Sequence, residues 1–138
     1  MVSKKGFSLL ELGLTLFILL LLGGAALTGL GSYQRRAALK FQQENISREL
    51  LWAKNYALTR FTDTDIIFFE NTWVISAGGR ELKNSTLPEP FTVSALRLGF
   101  NATGNPRYAG TLYLYRQGRA AAKMTVAVGS GLLKWTKL

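Results

Sequence analysis

The sequence contains neither cysteine nor histidine, and its three prolines all lie at or beyond position 88. Without cysteine there is no disulfide framework and no thiolate nucleophile. Without histidine there is no imidazole base, and the Cys/His zinc sites fall away with both. Most common catalytic chemistries are thereby removed, so the expectation is a chain that is not an enzyme and carries no cofactor and no metal. Acidic residues are also scarce: 8 Asp+Glu stand against 17 Lys+Arg in 138 residues, a formal net charge of +9, and none lies beyond Glu89. The length is that of one small domain at most, plus whatever its first thirty residues form.

What is present is unevenly spread. Residues 7–30 hold almost nothing polar except Ser8, Glu11, Thr15 and Thr28. As a helix this stretch would be roughly 36 Å long, against a bilayer hydrocarbon core of about 30 Å, so it can span a membrane with some tilt. Lys4 and Lys5 precede it, while Arg35, Arg36 and Lys40 follow it. Nearby positive charge therefore does not set its orientation alone.

Three readings of this segment compete. A secretory signal peptide explains the basic start and offers Gly24-Ala25-Ala26 as a small-residue cleavage site, but the apolar run exceeds the usual length of about 7–15 residues. A plain single-span anchor explains the length but leaves Glu11, an ionisable group near one end of the span, without a partner or a reason. The third reading starts from Lys4-Lys5-Gly6-Phe7-Ser8-Leu9-Leu10-Glu11. This string closely resembles the cleavage and methylation motif of type IV prepilins and type II secretion pseudopilins: a basic leader, Gly, Phe, and a Glu four residues after the Phe.

The resemblance implies that residues 1–6 are a leader, that a prepilin peptidase cuts between Gly6 and Phe7, and that the new amine of Phe7 is methylated. Residues 7–31 are then a transmembrane and filament-core segment, and Glu11 serves assembly. Phe7 and Glu11 stand at i and i+4 on one helix face, where a carboxylate can pair with the terminal ammonium of a staggered neighbour. The implied partners are the peptidase, an inner-membrane assembly platform, other pilins or pseudopilins, and membrane lipid before assembly. The implied location is a single pass through the cytoplasmic membrane with a cytoplasmic N-terminus, followed by a filament in the periplasm or outside the cell. One departure stands out: many pilins place a proline in the second half of the apolar segment, where this chain has Gly23, Gly24, Gly29 and Gly31.

From Leu39 onward an apolar stripe recurs at Ile46, Leu50, Ala53, Ala57 and Phe61, with Gln42, Gln43, Glu44, Arg48, Glu49 and Lys54 elsewhere. That period predicts an amphipathic helix over 32–61. No proline interrupts the chain from 7 to 61, so one helix of roughly 80 Å is expected. Two helices separated at 29–32 are the alternative. Trp52 and Tyr56, one turn apart, are assigned to the core.

After Thr62 the period turns extended. Residues 65–69 and 72–76, with Glu70-Asn71 between them, predict a hairpin, and further strands are expected at 96–100, 111–115 and 124–128. Turn chemistry lies at 77–80, 84–90, 101–106 and 117–118. The predicted fold class is α+β and type IV pilin-like: a long N-terminal helix, transmembrane in its first half and amphipathic in its second, packed on a C-terminal antiparallel β-sheet of five to seven strands. The globular domain would cover 32–138, with its sheet in 62–138. Phe100-Asn101-Ala102-Thr103-Gly104, Gly110-Thr111-Leu112-Tyr113-Leu114 and Val126-Ala127-Val128-Gly129-Ser130-Gly131 resemble the C-terminal pattern of GspH/FimT-type minor pseudopilins and of competence minor pilins. This resemblance implies a minor subunit acting in filament initiation or at the tip.

Beyond Glu89 the chain carries seven basic residues and no acidic one. Arg107, Arg116, Arg119, Lys123, Lys134 and Lys137 are candidate DNA contacts, with Tyr108, Tyr113, Tyr115 and Trp135 available for stacking, as in binding without sequence choice. A solvated basic surface, or one facing an acidic neighbour, explains the same charge. In DNA-receptor members of the family basic residues follow the final glycine, whereas Leu132-Leu133 follow Gly131 here, so DNA stays the alternative function. The carboxylates Asp63, Asp65, Glu70, Glu81 and Glu89 lack a calcium-loop spacing, and a carboxylate-pair hydrolase would need a folded pocket to gather them. Three Asn-x-Ser/Thr triplets, at Asn45, Asn84 and Asn101, read as a helix surface and two turns.

Overall fold

The computed structural model describes residues 8–127 and 133–138, with backbone alone for 26–30. Among the described residues are one helix and seven strands. The helix, α1, runs Leu9–Arg60. Its backbone is helical through 29–32, where the two-helix alternative placed a separation. The chain divides into two units, Met1–Lys40 and Phe41–Leu138.

In the first unit residues 9–25 of the helix are almost wholly apolar and exposed, from Leu9 at 91% and Leu10 at 81% to Leu20 at 75%. Leucine favours the helix intrinsically, but nothing in this unit covers it. Among the described residues no helix is long and apolar enough to cross a membrane. The expected span of 7–30 includes Phe7 and the side chains of 26–30, which lie outside them.

The second unit packs the last five turns of α1 against one antiparallel sheet. The strands are β1 (Thr64–Glu70), β2 (Thr72–Ala77), β3 (Arg80–Thr86), β4 (Phe91–Phe100), β5 (Gly110–Arg116), β6 (Arg119–Val126) and β7 (Leu133–Lys137), in the order β3-β2-β1-β4-β5-β6-β7. Two meanders thus meet where β4 lies beside β1. The hairpin turns carry the chemistry that tight connections need: Gly78-Gly79 and Gln117-Gly118 all have positive φ, the mirror-image turn whose twist suits flanking strands.

One sheet face meets the helix. Ile46, Leu50, Ala53 and Ala57 are fully buried, against Ile66 and Phe68 of β1, Trp73 and Ile75 of β2, Leu98 and Phe100 of β4, Leu112 and Leu114 of β5 and Met124 of β6 in the same core. Each large aliphatic side chain there contributes about 1.5–3 kcal/mol. Thr64 fastens the layers where the helix turns into the sheet, its hydroxyl donating to the Ala53 carbonyl at 3.4 Å.

Some expectations need correction. The helix stops at Arg60, one residue short of the expected 61, and Phe61 has φ 49° and is 83% exposed, so the buried stripe ends at Ala57 and Phe61 is outside the core. Trp52 is exposed too: it lies on the flank of the helix, stacked on Tyr56 with ring centroids 5.4 Å apart. The cause is angular, because 52 falls between the buried positions 50 and 53 only in number and points about 160° away from Leu50 and about 100° away from Ala53 on the helix wheel. β3 and β7 form where 84–90 was expected to turn and where no strand was expected. Strand β4 begins five residues before the expected 96, and β6 ends at Val126.

Candidate functional site

The first candidate is the start of α1. Gly6 and Phe7 lie outside the described residues. Ser8 caps the helix: the Glu11 N–H donates to the Ser8 hydroxyl at 3.2 Å and to its carbonyl at 3.0 Å. Ser8-x-x-Glu11 is therefore also a capping-box spacing, a signal in the sequence with a purely local meaning that the pilin-like motif obscured. A carboxylate in the first turn also sits favourably against the helix dipole. Thr15 returns its hydroxyl to the Glu11 carbonyl at 3.0 Å. Glu11 is exposed, makes no ion pair among the described residues, and is surrounded by exposed Leu9, Leu10, Leu12 and Leu14. Chemically this is one anionic group on an apolar rod.

The second candidate is the basic C-terminal half, and the fold disperses it. Arg107 is ion-paired to Asp63 at 3.4 Å and to Asp65 at 3.7 Å, and lies over the Tyr108 ring at 5.4 Å. Arg97 covers the same ring at 5.5 Å and pairs with Asp65 at 3.2 Å. Asp65 raises the Arg97 pKa, first through their hydrogen bond and then through its charge. Tyr108 is thus engaged by two guanidinium groups and Arg107 is largely neutralised. The Ala102 N–H adds a bond to Asp63 at 3.1 Å, which anchors the 101–106 turn in this network.

Pleating sorts the others. Ala122, Met124 and Val126 are buried on the helix side of β6, and register pairs them with Lys137, Trp135 and Leu133. Lys123 and Thr125 alternate to the opposite face, paired with Thr136 and Lys134. On β5, Tyr113 stands opposite Lys123, and its ring lies 6.4 Å from that of Tyr115. Lys123 and Lys134 therefore share a face with Tyr113 and Tyr115, whereas Lys137 belongs to the other face. Trp135 lies half-buried on the helix side, its indole N–H donating to Ser47 at 2.8 Å, and so does not share the face of Tyr113 and Tyr115. Arg116 lies half-buried over the Phe91 ring at 5.8 Å, opposite the exposed Arg119 at the hairpin end.

The carboxylates separate likewise. Asp63 and Asp65 belong to the arginine network, while Glu70 and Glu89 line an open cleft of about 610 Å³ with Phe91 and Tyr115. Among the described residues no group of three His, Cys, Asp or Glu side chains could hold a metal ion. The chain matches no family model, no curated protein and no solved structure.

Proposed function

We propose that this chain is a minor pilin or pseudopilin: a structural subunit of a type IV pilus or type II secretion pseudopilus that takes part in filament initiation or tip assembly. The observation that carries the reading is Glu11, a carboxylate without an ion pair among the described residues, on a stretch of helix, 9–25, whose apolar side chains are exposed all round. Such a surface needs cover from lipid or from other helices. Before assembly the cover is the cytoplasmic membrane; afterwards it is the helices of neighbouring pilins or pseudopilins. Gly13, Gly23 and Gly24 support close helix approach, because each leaves the helix surface without a side chain where, among the described residues, nothing lies within 4 Å of an added Cβ. The helix-on-antiparallel-sheet unit of 41–138 suits the globular part of such a subunit.

In this reading the peptidase cuts after Gly6, Phe7 becomes the methylated terminus, and Glu11 pairs with that ammonium on the next subunit as an assembly platform feeds subunits into the filament. Burial in low dielectric makes an unpaired Glu11 costly and the paired one favourable. No catalytic role is proposed. The test is expression beside an active and an inactivated prepilin peptidase, with the chain's N-terminus read by mass spectrometry. The expected product begins at N-methylated Phe7 with the active enzyme alone, and an intact precursor retaining Gly6 would overturn the assignment. Glu11→Ala is expected to be processed normally yet to be missing from sheared filaments.

The alternative, a DNA-binding minor pilin of a competence pilus, rests on Lys123, Lys134, Tyr113 and Tyr115 sharing one face, with Arg119 exposed at the hairpin end. Arg107, Arg116 and Lys137 lend it less than their charge suggests. The structural-subunit reading is therefore preferred.

A further inference from the structure

Between Glu11 and Glu44 the chain has no acidic residue, and its three basic ones, Arg35, Arg36 and Lys40, gather just past the apolar run. Tyr33, Arg36, Ala37 and Lys40 stand at i, i+3, i+4 and i+7, on one face of α1, and together line a shallow depression of about 390 Å³. Tyr33 is 72% exposed. Arg36 has no ion-pair partner among the described residues. Ala37, the small residue between the longer arms, leaves the floor open.

We propose that this face is a binding site for the headgroup of an anionic phospholipid, a deepening that rests on the membrane-inserted state proposed above. Axial distance places it at the right height. Measured from Leu9 at about 1.5 Å per residue, Tyr33 stands roughly 36 Å along the helix and Arg36 roughly 40 Å. With Leu9 at the near edge of a hydrocarbon core about 30 Å thick, inside a bilayer of about 40–45 Å, the far headgroup layer spans roughly 30–37 Å, so Tyr33 stands at its outer edge and Arg36 just beyond it, where a long side chain leaning toward the helix N-terminus reaches back to the phosphates. Tyrosine prefers this layer because its ring is apolar and its hydroxyl polar. The Arg36 fork can take two phosphate oxygens at once. A zwitterionic headgroup would bring its own ammonium against these cations, so the site favours a lipid with net negative charge. It also gives a reason for basic residues on a side where the positive-inside tendency disfavours them.

The test places the full chain in vesicles of phosphatidylcholine with a minority of phosphatidylglycerol, extracts it in polymer-bounded discs, and compares the lipid ratio in the discs with the bulk. About fivefold phosphatidylglycerol enrichment is expected, the size of one basic side chain's attraction to an anionic surface. Arg36→Gln should remove most of it, Arg36→Lys should keep part, and Arg80→Gln should leave it unchanged. Inorganic phosphate at matched ionic strength should not displace the lipid. Discs that contain the chain but lack enrichment, enrichment that survives Arg36→Gln, or displacement by free phosphate would each overturn the headgroup site and leave the membrane reading standing. A chain that stays in the aqueous fraction overturns both.

Discussion

The indole N–H of Trp135, in the last strand, donates a 2.8 Å hydrogen bond to the Ser47 hydroxyl, which in turn donates to the Gln43 carbonyl at 2.8 Å. Residues 88 positions apart thus tie the sheet edge to the helix. Trp135→Phe keeps most of the ring's packing and removes the donor, so a loss of about 1 kcal/mol is expected. Ser47→Ala should cost a similar amount, and the double variant should cost less than the sum of the two. Urea unfolding followed by far-ultraviolet circular dichroism measures all three; strict additivity would show that the pair does not act as one contact.

Gly99 is required by its neighbours. A Cβ there would lie 2.6 Å from the Thr64 carbonyl oxygen and 3.0 Å from Asp65 Oδ1, both on the adjacent strand β1. Backbone cannot step aside cheaply, and Gly99→Ala should destabilise the domain by about 1–3 kcal/mol. Gly110→Ala makes a useful contrast, since its Cβ would meet the Leu96 side chain, at 2.9 Å from Cδ1. That side chain can shift, so the cost should be under about 1 kcal/mol. Equal losses in thermal unfolding would contradict the distinction.

The helix face gives a third contrast. Leu50 is fully buried beneath the sheet, and Leu50→Ala should cost about 2–5 kcal/mol. Trp52 is 39% exposed, stacked on Tyr56 and approached by Lys83 Nζ at 5.6 Å, with Lys83 also held by Glu49 at 2.7 Å. Despite its larger side chain, Trp52→Ala should cost only about 1–2 kcal/mol, the loss of partial burial and an aromatic pair. A larger loss at Trp52 than at Leu50, measured by chemical denaturation, would reverse this assignment.

Much of the architecture was legible because local signals agreed with the fold. The stripe from Ile46 to Ala57 is the buried face, Glu70-Asn71 is the first hairpin, and Gly78-Gly79 and Gln117-Gly118 are the tight turns. β3 escaped because Arg80-Glu81-Leu82-Lys83-Asn84-Ser85-Thr86 has no apolar alternation: an edge strand held by its turn needs no buried face, and its charges guard against pairing with other chains. β7 is short and basic for the same reason. Glu11 could be singled out from its leader context, and Ser8 as its cap was readable from the four-residue spacing. The engagement of Arg107 by Asp63 and of Trp135 by Ser47 was not readable, because nothing local in sequence links residues brought together by the order of strands.

That engagement bears directly on nucleic acid. Counted by sequence, six basic residues could each neutralise a phosphate, and the logarithm of affinity would fall with the logarithm of salt at a slope near −5. Counted by geometry, Lys123 and Lys134 share a face, Arg119 is exposed beside them, Arg107 is held by two carboxylates, and Lys137 lies on the other face. Two or three phosphates is the expected number, giving a slope of roughly −2 to −3 on duplex DNA. Lys123→Gln with Lys134→Gln should bring it close to −1, while Lys137→Gln should change it little. Asp63→Asn should steepen it, because releasing Arg107 from one of its carboxylates frees a cation for phosphate. A wild-type slope near −5, insensitive to Asp63→Asn, would mean that DNA recruits the whole basic half and breaks the ion pairs to do so, and would favour the DNA-uptake alternative over a purely structural subunit.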